Sequence, residues 1–327
     1  MSKYYNPHRT RNIYNPHSSE PFRLSRGKID SFVKCARCFY MDRRLGVGQP
    51  PGYPFSLNSA VDLLLKKEFD IHRAAGTAHP LMKAYGLDAV PFAHAQIDEW
   101  RDAMRRGITY RIAGTSVVVT GGVDDVWKSP NGELIIVDYK ATSKDGEVSL
   151  DADWQDGYKR QMEIYQWLFR QNGFKVSRTG YFVYCNGDTD ARAFDGKLEF
   201  DIKLIPYDGD DSWVEGTILA AIECLKSDTL PASGVDCDYC AYRKAAGAVE
   251  SLKVEDRDSL LEDVVKFIKD KDLISTALLQ REFGIGYVRA CRLLDKLEEA
   301  GLVSPSEGAK PRKVFIKENK TIKKLVN

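Results

Sequence analysis

The segment from Gly121 to Lys140 constrains the fold more than any other part of the chain. Its Ser-Pro-Asn-Gly stretch at 129–132 predicts a tight turn, so the flanking strands pair antiparallel. Residues opposed across such a hairpin have numbers that sum to about 261 or 262, which sets Asp124 against Asp138 within one residue of register. Opposed residues share a sheet face, with Cβ atoms about 5 Å apart. Lys140 shares the face of Asp138 because side chains alternate with a period of two.

The second strand of this hairpin is apolar on both faces over 134–137, which is typical of a central strand. Two carboxylates and a lysine at the end of a buried strand need a compensating charge. A divalent cation would supply it, and oxygen ligands at this separation suit Mg²⁺ or Mn²⁺. The alternative is a hairpin whose aspartates point to solvent or pair with Lys140.

Four cysteines fall in two pairs with the same spacing, Cys35-x2-Cys38 and Cys237-x2-Cys240. In a cytosolic chain this pattern indicates a metal site more often than a disulfide. The two pairs together can close a tetrahedral site of four sulfurs. Spacing alone does not separate Zn²⁺ from a [4Fe-4S] cluster. Four unliganded cysteines are the remaining alternative.

Length and charge bound the broad class. The chain has 327 residues, 43% hydrophobic and 29% charged, which indicates two or three folded domains and excludes wholesale disorder. It has no apolar run long enough for a membrane span and no signal-peptide core at its start, so we expect a cytoplasmic protein without a membrane partner. The 48 basic and 47 acidic residues balance overall, yet residues 1–27 carry five basic against one acidic side chain. Residues 301–327 carry seven against two, so basic ends either contact a polyanion or are solvated tails.

The predicted organisation has four parts: a flexible basic tail over 1–21, a main domain over 22–246, a polar linker over 247–258 and a small domain over 259–327. In the main domain, the pattern predicts a helix that begins after Ser25 and runs into the first cysteine pair. Further helices are predicted near 57–75, around Trp100, and near 155–170 and 211–226, with strands near 110–113, 116–120, 123–128, 133–140, 178–186 and 198–206. Gln161 and Tyr165 lie four residues apart and share one face of the 155–170 helix.

The small domain is predicted to contain three helices, at 259–271, 275–283 and 286–300, then a hairpin of 302–304 with 312–316. This order is that of a winged helix. The third helix buries one apolar face, and its opposite side carries Arg289, Arg292 and Lys296. Lys310, Arg312 and Lys313 form a basic wing suited to phosphates. Use of the domain for protein contact is the alternative.

Together these motifs resemble the RecB-like branch of the PD-(D/E)XK nucleases. The resemblance rests on Gly121-x-x-Asp124, Asp138-x-Lys140 and Gln161-x3-Tyr165 in that order, together with the two cysteine pairs, and it covers about residues 24–246. It implies a mixed sheet flanked by helices, an α/β (α+β) core of α-β-β-β-α-β type. It also implies a metal-dependent deoxyribonuclease that works in DNA repair, recombination or processing.

The resemblance further implies roles for single residues. Asp124, Asp138 and the Tyr139 carbonyl would hold one or two Mg²⁺ or Mn²⁺ ions, Lys140 would orient water or stabilise the transition state, and Gln161 and Tyr165 would place the DNA strand. Many relatives have a histidine ligand where this chain has Asp62. At the four paired cysteines the resemblance favours a [4Fe-4S] cluster. The spacing favours Zn²⁺ as the alternative, because relatives with a cluster use one N-terminal and three C-terminal cysteines, whereas this chain has two and two.

A stretch of about 55 residues that includes Ile274 to Val303 resembles the gamma domain of the FtsK DNA translocases. That family reads a G-rich duplex motif through its third helix and usually has Asn where this chain has Val288. The P-loop motif of a translocase motor is absent from the sequence. The leading hypothesis is therefore a nuclease with its own duplex-binding module. The alternatives are a catalytically inactive DNA-binding or adaptor protein, with possible protein partners, and a structural metal-cluster protein.

Overall fold

The computed structural model describes residues 4–5, 8–50, 52, 56–251, 258, 260–308 and 310–315. The chain divides into two compact units, Met1–Ala241 and Tyr242–Asn327. No helix within the described ranges is long and apolar enough to cross a bilayer.

Within its described residues, the first unit contains eight strands, seven helices, the start of an eighth helix and a 3-10 turn at Asp153–Gln155. The strands are β1 (Phe22–Ser25), β2 (Val90–Pro91), β3 (Ile108–Arg111), β4 (Val117–Gly121), β5 (Asp125–Lys128), β6 (Leu134–Thr142), β7 (Thr179–Gly187) and β8 (Phe200–Asp208). The helices are α1 (Arg26–Lys34), α2 (Ala36–Arg43), α3 (Ser56–Ala75), α4 (Pro80–Ala84), α5 (Ile97–Arg101), α6 (Asp156–Gln171) and α7 (Val214–Lys226), followed by α8 (Asp238–Ser251), which crosses the boundary between the units.

The main sheet has five strands in the order β2-β5-β6-β7-β8. Only the β6–β7 pair is parallel, and the other three pairs are antiparallel. β6 is the central strand, as its continuous apolar run predicted. The predicted mixed sheet flanked by helices is therefore confirmed.

The two faces of the main sheet separate by residue parity. Val126, Ile136 and Phe182 pack under α6 and α7 in the larger core cluster. Trp127 and Val137 pack under α3 with Phe69 and Leu65 in a second cluster. The period of two thus assigns neighbouring residues of one strand to different sides of the sheet.

A smaller sheet of order β1-β4-β3 packs beside the main one, with β1 parallel and β3 antiparallel to β4. The described part of the segment before β1 differs from the predicted flexible tail. Tyr14 is buried and packs edge-on against Phe22, and Arg9 pairs with Asp42. Residues 1–3 and 6–7 of that segment lie outside the described residues. Burial of an aromatic ring explains why this polar segment contacts the domain.

The second unit contains α9 (Leu261–Ile268), β9 (Leu273–Ile274), α10 (Thr276–Phe283), α11 (Tyr287–Glu299) and β10 (Arg312–Lys313). Its apolar core is formed by the inward faces of the three helices with Leu302 and Val303. β10 pairs with β9. The predicted pairing of 302–304 with 312–316 is present over its described residues as the antiparallel bridge Val303–Val314, with backbone hydrogen bonds from Ser304 to Lys313 and from Phe315 to Leu302. Residues 247–251, predicted as linker, continue α8, while 252–257, 259 and the basic tail over 316–327 lie outside the described residues.

Candidate active site

The register of the β5–β6 hairpin is the one that the turn predicted. Asp125 pairs with Val137, so the next pair along the ladder sets Asp124 against Asp138. The Asp124 Oδ2 atom accepts a 2.9 Å hydrogen bond from the backbone N–H of Tyr139. The two carboxylates therefore lie at the same end of a central strand.

Asp138 has no exposed surface, and its two oxygens have different partners. Oδ1 accepts a 2.6 Å hydrogen bond from Nε2 of Gln161. Oδ2 lies against Nζ of Lys140 as an ion pair but accepts no hydrogen bond of ordinary geometry in the described structure. Burial raises the pKa of Asp138 to about 6, with Asp124 adding to the shift and Lys140 opposing it.

Lys140 is held by two kinds of partner. Besides pairing with Asp138, its Nζ lies 4.3 Å from the ring centre of Tyr158, which is a cation–π distance. Burial alone would lower the pKa of Lys140, but Asp138 and Asp124 outweigh it and raise the pKa. Lys140 is therefore a charged ammonium in a largely dehydrated position.

Asp62 approaches the hairpin from α3, which is anchored there because Asn58 donates a 2.7 Å hydrogen bond to the Ala141 carbonyl. Lys66 lies between two carboxylates, with its Nζ 2.8 Å from Asp62 Oδ2 and 3.5 Å from Asp124 Oδ1. Burial and the nearby charge of Asp124 raise the pKa of Asp62. Lys66 is not among the residues predicted from the sequence, although it lies four residues after Asp62 on a helix and so shares its face.

Tyr165 and Gln161 line the side of the site formed by α6, and the Tyr165 hydroxyl lies 3.2 Å from Gln161 Nε2. A Cβ at Gly121 would come within 2.7 Å of the Tyr165 ring, so glycine at this position permits the helix to approach. Arg26, which the sequence analysis also missed, lies close enough for Tyr165 and Asp138 to raise its pKa against the opposing effect of burial.

A cleft of about 390 Å³ opens beside these residues. Its walls come from α3, from the end of β6 and from the turn before α6, and they include Asp62, Tyr139, Lys140, Trp154 and Tyr158. The predicted residues Asp62, Asp124, Asp138, Tyr139, Lys140, Gln161 and Tyr165 thus form one group at one end of the sheet. The arrangement places carboxylate oxygens, an ammonium and a solvent-accessible cavity together.

The donor set has the chemistry that a hard divalent cation prefers, but Asp62, Asp124 and Asp138 are not among the groups of described residues whose ligand atoms all lie within 4.8 Å of one another. Asp62 and Asp124 repel each other, and the buried Asp138 has the Lys140 ammonium against its Oδ2. Carboxylate oxygens are the ligands that Mg²⁺ and Mn²⁺ prefer. Asp62, Asp124, Asp138 and the Tyr139 carbonyl are the groups that would hold such an ion.

The four paired cysteines converge at a second place in the same unit. Their sulfurs all lie within 4.8 Å of one another, and three are buried. Cys35 Sγ is 3.7 Å from Cys240 Sγ, and Cys38 Sγ is 3.6 Å from both Cys237 Sγ and Cys240 Sγ. A tetrahedral ion with metal–sulfur bonds of about 2.3 Å holds its sulfurs about 3.8 Å apart. The group therefore fits one metal ion.

Local structure brings the first cysteine into this group. Cys35 separates α1 from α2, and its sulfur accepts hydrogen bonds from the backbone N–H groups of Cys38, at 3.4 Å, and Gly234, at 3.2 Å. Burial opposes ionisation, but these two N–H groups lower the pKa of Cys35 to about 6. A thiolate is thus favoured where a metal ligand is needed.

The basic residues predicted for DNA contact lie in two environments. Arg292 and Lys313 are exposed, Arg289 pairs with Asp258, and Lys310 pairs with Glu307 at 3.3 Å. Lys296 is half-buried on the same helix. These side chains are compatible with a contact surface within the second unit.

Arg312 was predicted to lie in the basic wing, and this prediction is wrong. Its guanidinium is buried and donates to the Leu294 carbonyl, to Glu298 Oε2 at 2.7 Å and to Asp295 Oδ1 at 2.8 Å. These bonds hold β10 against α11, so the guanidinium is not available to bind a phosphate. The sequence placed it in a basic wing because the acidic partners lie 14 and 17 residues earlier.

Comparisons with known proteins agree with this division. A family model described as the PD-(D/E)XK nuclease superfamily matches residues 23–245, which is about two thirds of the chain. A model described as the Ftsk gamma domain matches residues 255–317.

The second region is also similar to curated proteins named DNA translocase FtsK. The one from Clostridium tetani is 53% identical over 62 residues, which is 19% of this chain and 8% of that protein. The one from Oceanobacillus iheyensis is 39% identical over 87 residues, 24% of this chain and 11% of that protein. The chain thus matches only about a tenth of the length of these relatives. A solved structure titled "Crystal structure of SSO0001" covers 70% of this chain and 87% of its own at 16% identity, but its TM-score of 0.34 carries no structural argument.

The match over 23–245 contains both strands of the carboxylate hairpin, the α6 residues that contact it and both cysteine pairs. It spans well over half of the sequence. The chain belongs to the PD-(D/E)XK nuclease superfamily.

Proposed function

We propose that this protein is a Mg²⁺- or Mn²⁺-dependent deoxyribonuclease that hydrolyses phosphodiester bonds and uses its second unit to bind duplex DNA. The observation that carries the proposal is the fully buried Asp138, which faces Asp124 across the hairpin and has the Lys140 ammonium against its Oδ2. Burial and the nearby charge of Asp124 both raise the pKa of Asp138, which is the effect that a bound divalent cation would reverse.

The residues divide the chemistry between them. Asp124, Asp138 and the Tyr139 carbonyl would hold the cation, with Asp62 as a further ligand. A cation there would neutralise charge on the scissile phosphate and acidify a water molecule. Lys140 orients the attacking water or stabilises the negative charge of the transition state. The electrostatic stabilisation is strongest when the ammonium is dehydrated. Gln161 fixes the Asp138 carboxylate through its 2.6 Å hydrogen bond, and Tyr165 positions the DNA strand beside it.

The direct test is cleavage of labelled single-stranded and double-stranded DNA by the full-length protein with Mg²⁺, Mn²⁺ or EDTA. Products with either metal and none with EDTA are the expected result. Absence of cleavage with every metal, together with retained DNA binding, would favour the second candidate function.

That second candidate is a catalytically inactive DNA-binding or adaptor protein on a nuclease scaffold. One observation favours it: the Lys66 ammonium already lies between Asp62 and Asp124, where a cation is expected. Titration calorimetry with Mn²⁺ separates the two functions, since the inactive protein would release no heat of binding.

For the second unit we propose that Arg292 reaches base edges and that Lys313 reaches phosphates. A bidentate contact from arginine to guanine discriminates by about 1–3 kcal/mol, so Arg292→Ala should flatten the sequence preference. Lys313→Ala should weaken all duplexes alike and reduce the dependence of log K on log salt by about 0.9. Glu282→Gln, at an exposed position of the same unit, is the matched control.

At the cysteines we propose Zn²⁺ rather than the [4Fe-4S] cluster that the family resemblance implied. The sulfur separations of 3.6–3.7 Å support a single ion, because a cluster places four irons and four sulfides between its ligands. Elemental analysis of anaerobically purified protein should find about one zinc per chain. About four irons with visible absorbance would identify the cluster instead. Thiol ligands are stable in a reducing compartment, so we propose that the protein is cytoplasmic. We propose DNA repair, recombination or processing as its pathway.

A further inference from the structure

Trp154 is the exposed member of the five tryptophans of this chain. Its side chain is 63% accessible, whereas Trp100, Trp127 and Trp167 are buried and Trp213 is half-buried. Trp154 also forms part of the wall of the cleft that contains Asp62 and Lys140. Neither the sequence motifs nor the proposed chemistry gives it a role.

The backbone that carries Trp154 is held firmly. It lies in the 3-10 turn Asp153–Gln155, whose last residue is buried. The side chain of Gln155 accepts a 3.0 Å hydrogen bond from the Ala152 N–H and donates one of 2.6 Å to the Ser149 carbonyl. A single exposed apolar side chain is ordinary on a protein surface, but this one stands on a fastened turn at the wall of the candidate active site.

Among the described residues, the indole has one aromatic neighbour, and its side chain is largely accessible. The Tyr158 ring meets it edge-on, with centroids 5.5 Å apart and planes at 82°. The same Tyr158 ring also contacts the Lys140 ammonium, whose Nζ lies 4.3 Å from the ring centre. A flat apolar surface and a cation are thus joined through one residue. A nucleotide offers the complementary pair, a flat base and an anionic phosphate.

We propose that Trp154 binds a nucleobase of the substrate strand by stacking, close to the phosphate that faces Lys140. The identity of that phosphate as the scissile one rests on the proposed nuclease function, whereas the base site itself does not. A base inside a duplex is already stacked on both sides, so the site takes an unpaired base. Stacking on an aromatic side chain is tolerant of sequence because every base has a flat face.

The experiment uses the full-length protein in EDTA, so that no cleavage occurs, and a fluorescently labelled single-stranded oligonucleotide. Anisotropy should show that Trp154→Ala weakens binding by about 5- to 150-fold, the equivalent of about 1–3 kcal/mol per stacked base. Trp154→Phe should restore part of the affinity. Tyr85→Ala is the matched control, since Tyr85 is an exposed aromatic residue that does not line the cleft. Unchanged duplex affinity of Trp154→Ala would show that the second unit is intact.

Two further measurements make the result decisive. The intrinsic fluorescence of the wild type should be quenched by an unlabelled oligonucleotide. An oligonucleotide with abasic positions should bind the wild type as weakly as an intact one binds Trp154→Ala. Equal binding of abasic and intact oligonucleotides, or wild-type affinity in Trp154→Ala, would overturn the base site while Mg²⁺-dependent cleavage by the wild type still supported the nuclease. Loss of affinity in Trp154→Ala without cleavage by the wild type would leave the base site standing and remove the nuclease.

Discussion

Two adjacent aspartates at the start of β5 lie on opposite sides of the main sheet, and their surroundings differ in kind. Asp125 is fully buried and accepts from Arg101 at 2.9 Å, from Trp127 Nε1 at 3.0 Å and from the Tyr139 hydroxyl at 3.0 Å, with Arg73 as a further partner. Asp124 and Asp138 face the other side, where the Lys140 ammonium lies against Asp138 Oδ2.

The comparison shows how one strand carries both a structural and a chemical carboxylate. Around Asp125 every carboxylate charge is matched, because Asp70 completes the set by binding Arg73 and Arg101 at 2.9 Å. Around Asp138 the Lys140 ammonium pairs with Oδ2, yet burial and the charge of Asp124 still raise the pKa of Asp138 to about 6. A fully satisfied buried network stabilises a fold, whereas a partly compensated one is costly unless a ligand completes it. The Asp124 and Asp138 side of the sheet is therefore the side where a cation would be stabilising.

The largest expected effect separates the two sides by activity. Asp138→Asn and Lys140→Ala should each lower the rate of DNA cleavage by about 10³-fold or more, because they remove a metal ligand and a charge that stabilises the transition state. Single-turnover cleavage with Mg²⁺ or Mn²⁺ measures the rate, and circular dichroism checks the fold. Asp201→Asn, on the neighbouring edge strand and exposed, is the matched control and should cleave like the wild type. Wild-type cleavage by either test variant would show that the centre lies elsewhere.

The second prediction concerns stability on the Asp125 side. Asp125→Asn should lower the free energy of unfolding of the first unit by about 3–5 kcal/mol, since it leaves the two buried guanidinium groups with the partly exposed Asp70 as their remaining carboxylate partner. Urea unfolding followed by tryptophan fluorescence measures the change. Asp208→Asn, an exposed carboxylate at the end of β8, should cost far less. If Asp125→Asn unfolds at the wild-type urea concentration, the structural role assigned to this network is wrong.

The third prediction concerns the stabilisation of the protein by bound Mn²⁺, which should depend on Asp138 but not on Asp125. Mn²⁺ at 100 times its dissociation constant should stabilise the wild type by about 2.7 kcal/mol, because it binds only the folded site. The same addition should leave the melting temperature of Asp138→Asn unchanged. Asp125→Asn, although less stable, should keep the full shift if enough of it is folded. A shift of equal size in Asp138→Asn would contradict the assignment of the cation to this side.

The smallest expected effect is on Mn²⁺ affinity and concerns Lys66. Lys66→Met removes the ammonium between Asp62 and Asp124 and should raise the affinity for Mn²⁺ by about twofold to fivefold, the effect of one partly exposed ion pair. Titration calorimetry measures the affinity. Lys67→Met, the adjacent exposed lysine, serves as the control. Weaker Mn²⁺ binding by Lys66→Met would mean that the lysine supports the ligands instead of competing with the ion.

Much of the candidate site was predictable because local rules govern it. The Ser-Pro-Asn-Gly turn fixes the hairpin register, so Asp124 and Asp138 oppose each other without any knowledge of the rest of the fold. The helical spacing of Gln161 and Tyr165 likewise places them on one face. Lys66 and Trp154 were not found, since their importance comes from elements that lie more than 50 residues away or from exposure that the sequence does not encode.

The sequence by itself determined the order of strands and helices, the pairing of the two aspartates and the presence of two cysteine pairs. Only the tertiary structure decided which carboxylates are satisfied. Asp125 meets guanidinium groups from α3 and α5, and Arg312 meets acids on α11, because packing brings distant helices against each strand. Local pattern sets the face on which a side chain lies, but partners from other elements decide whether its charge is already neutralised or remains available to a ligand.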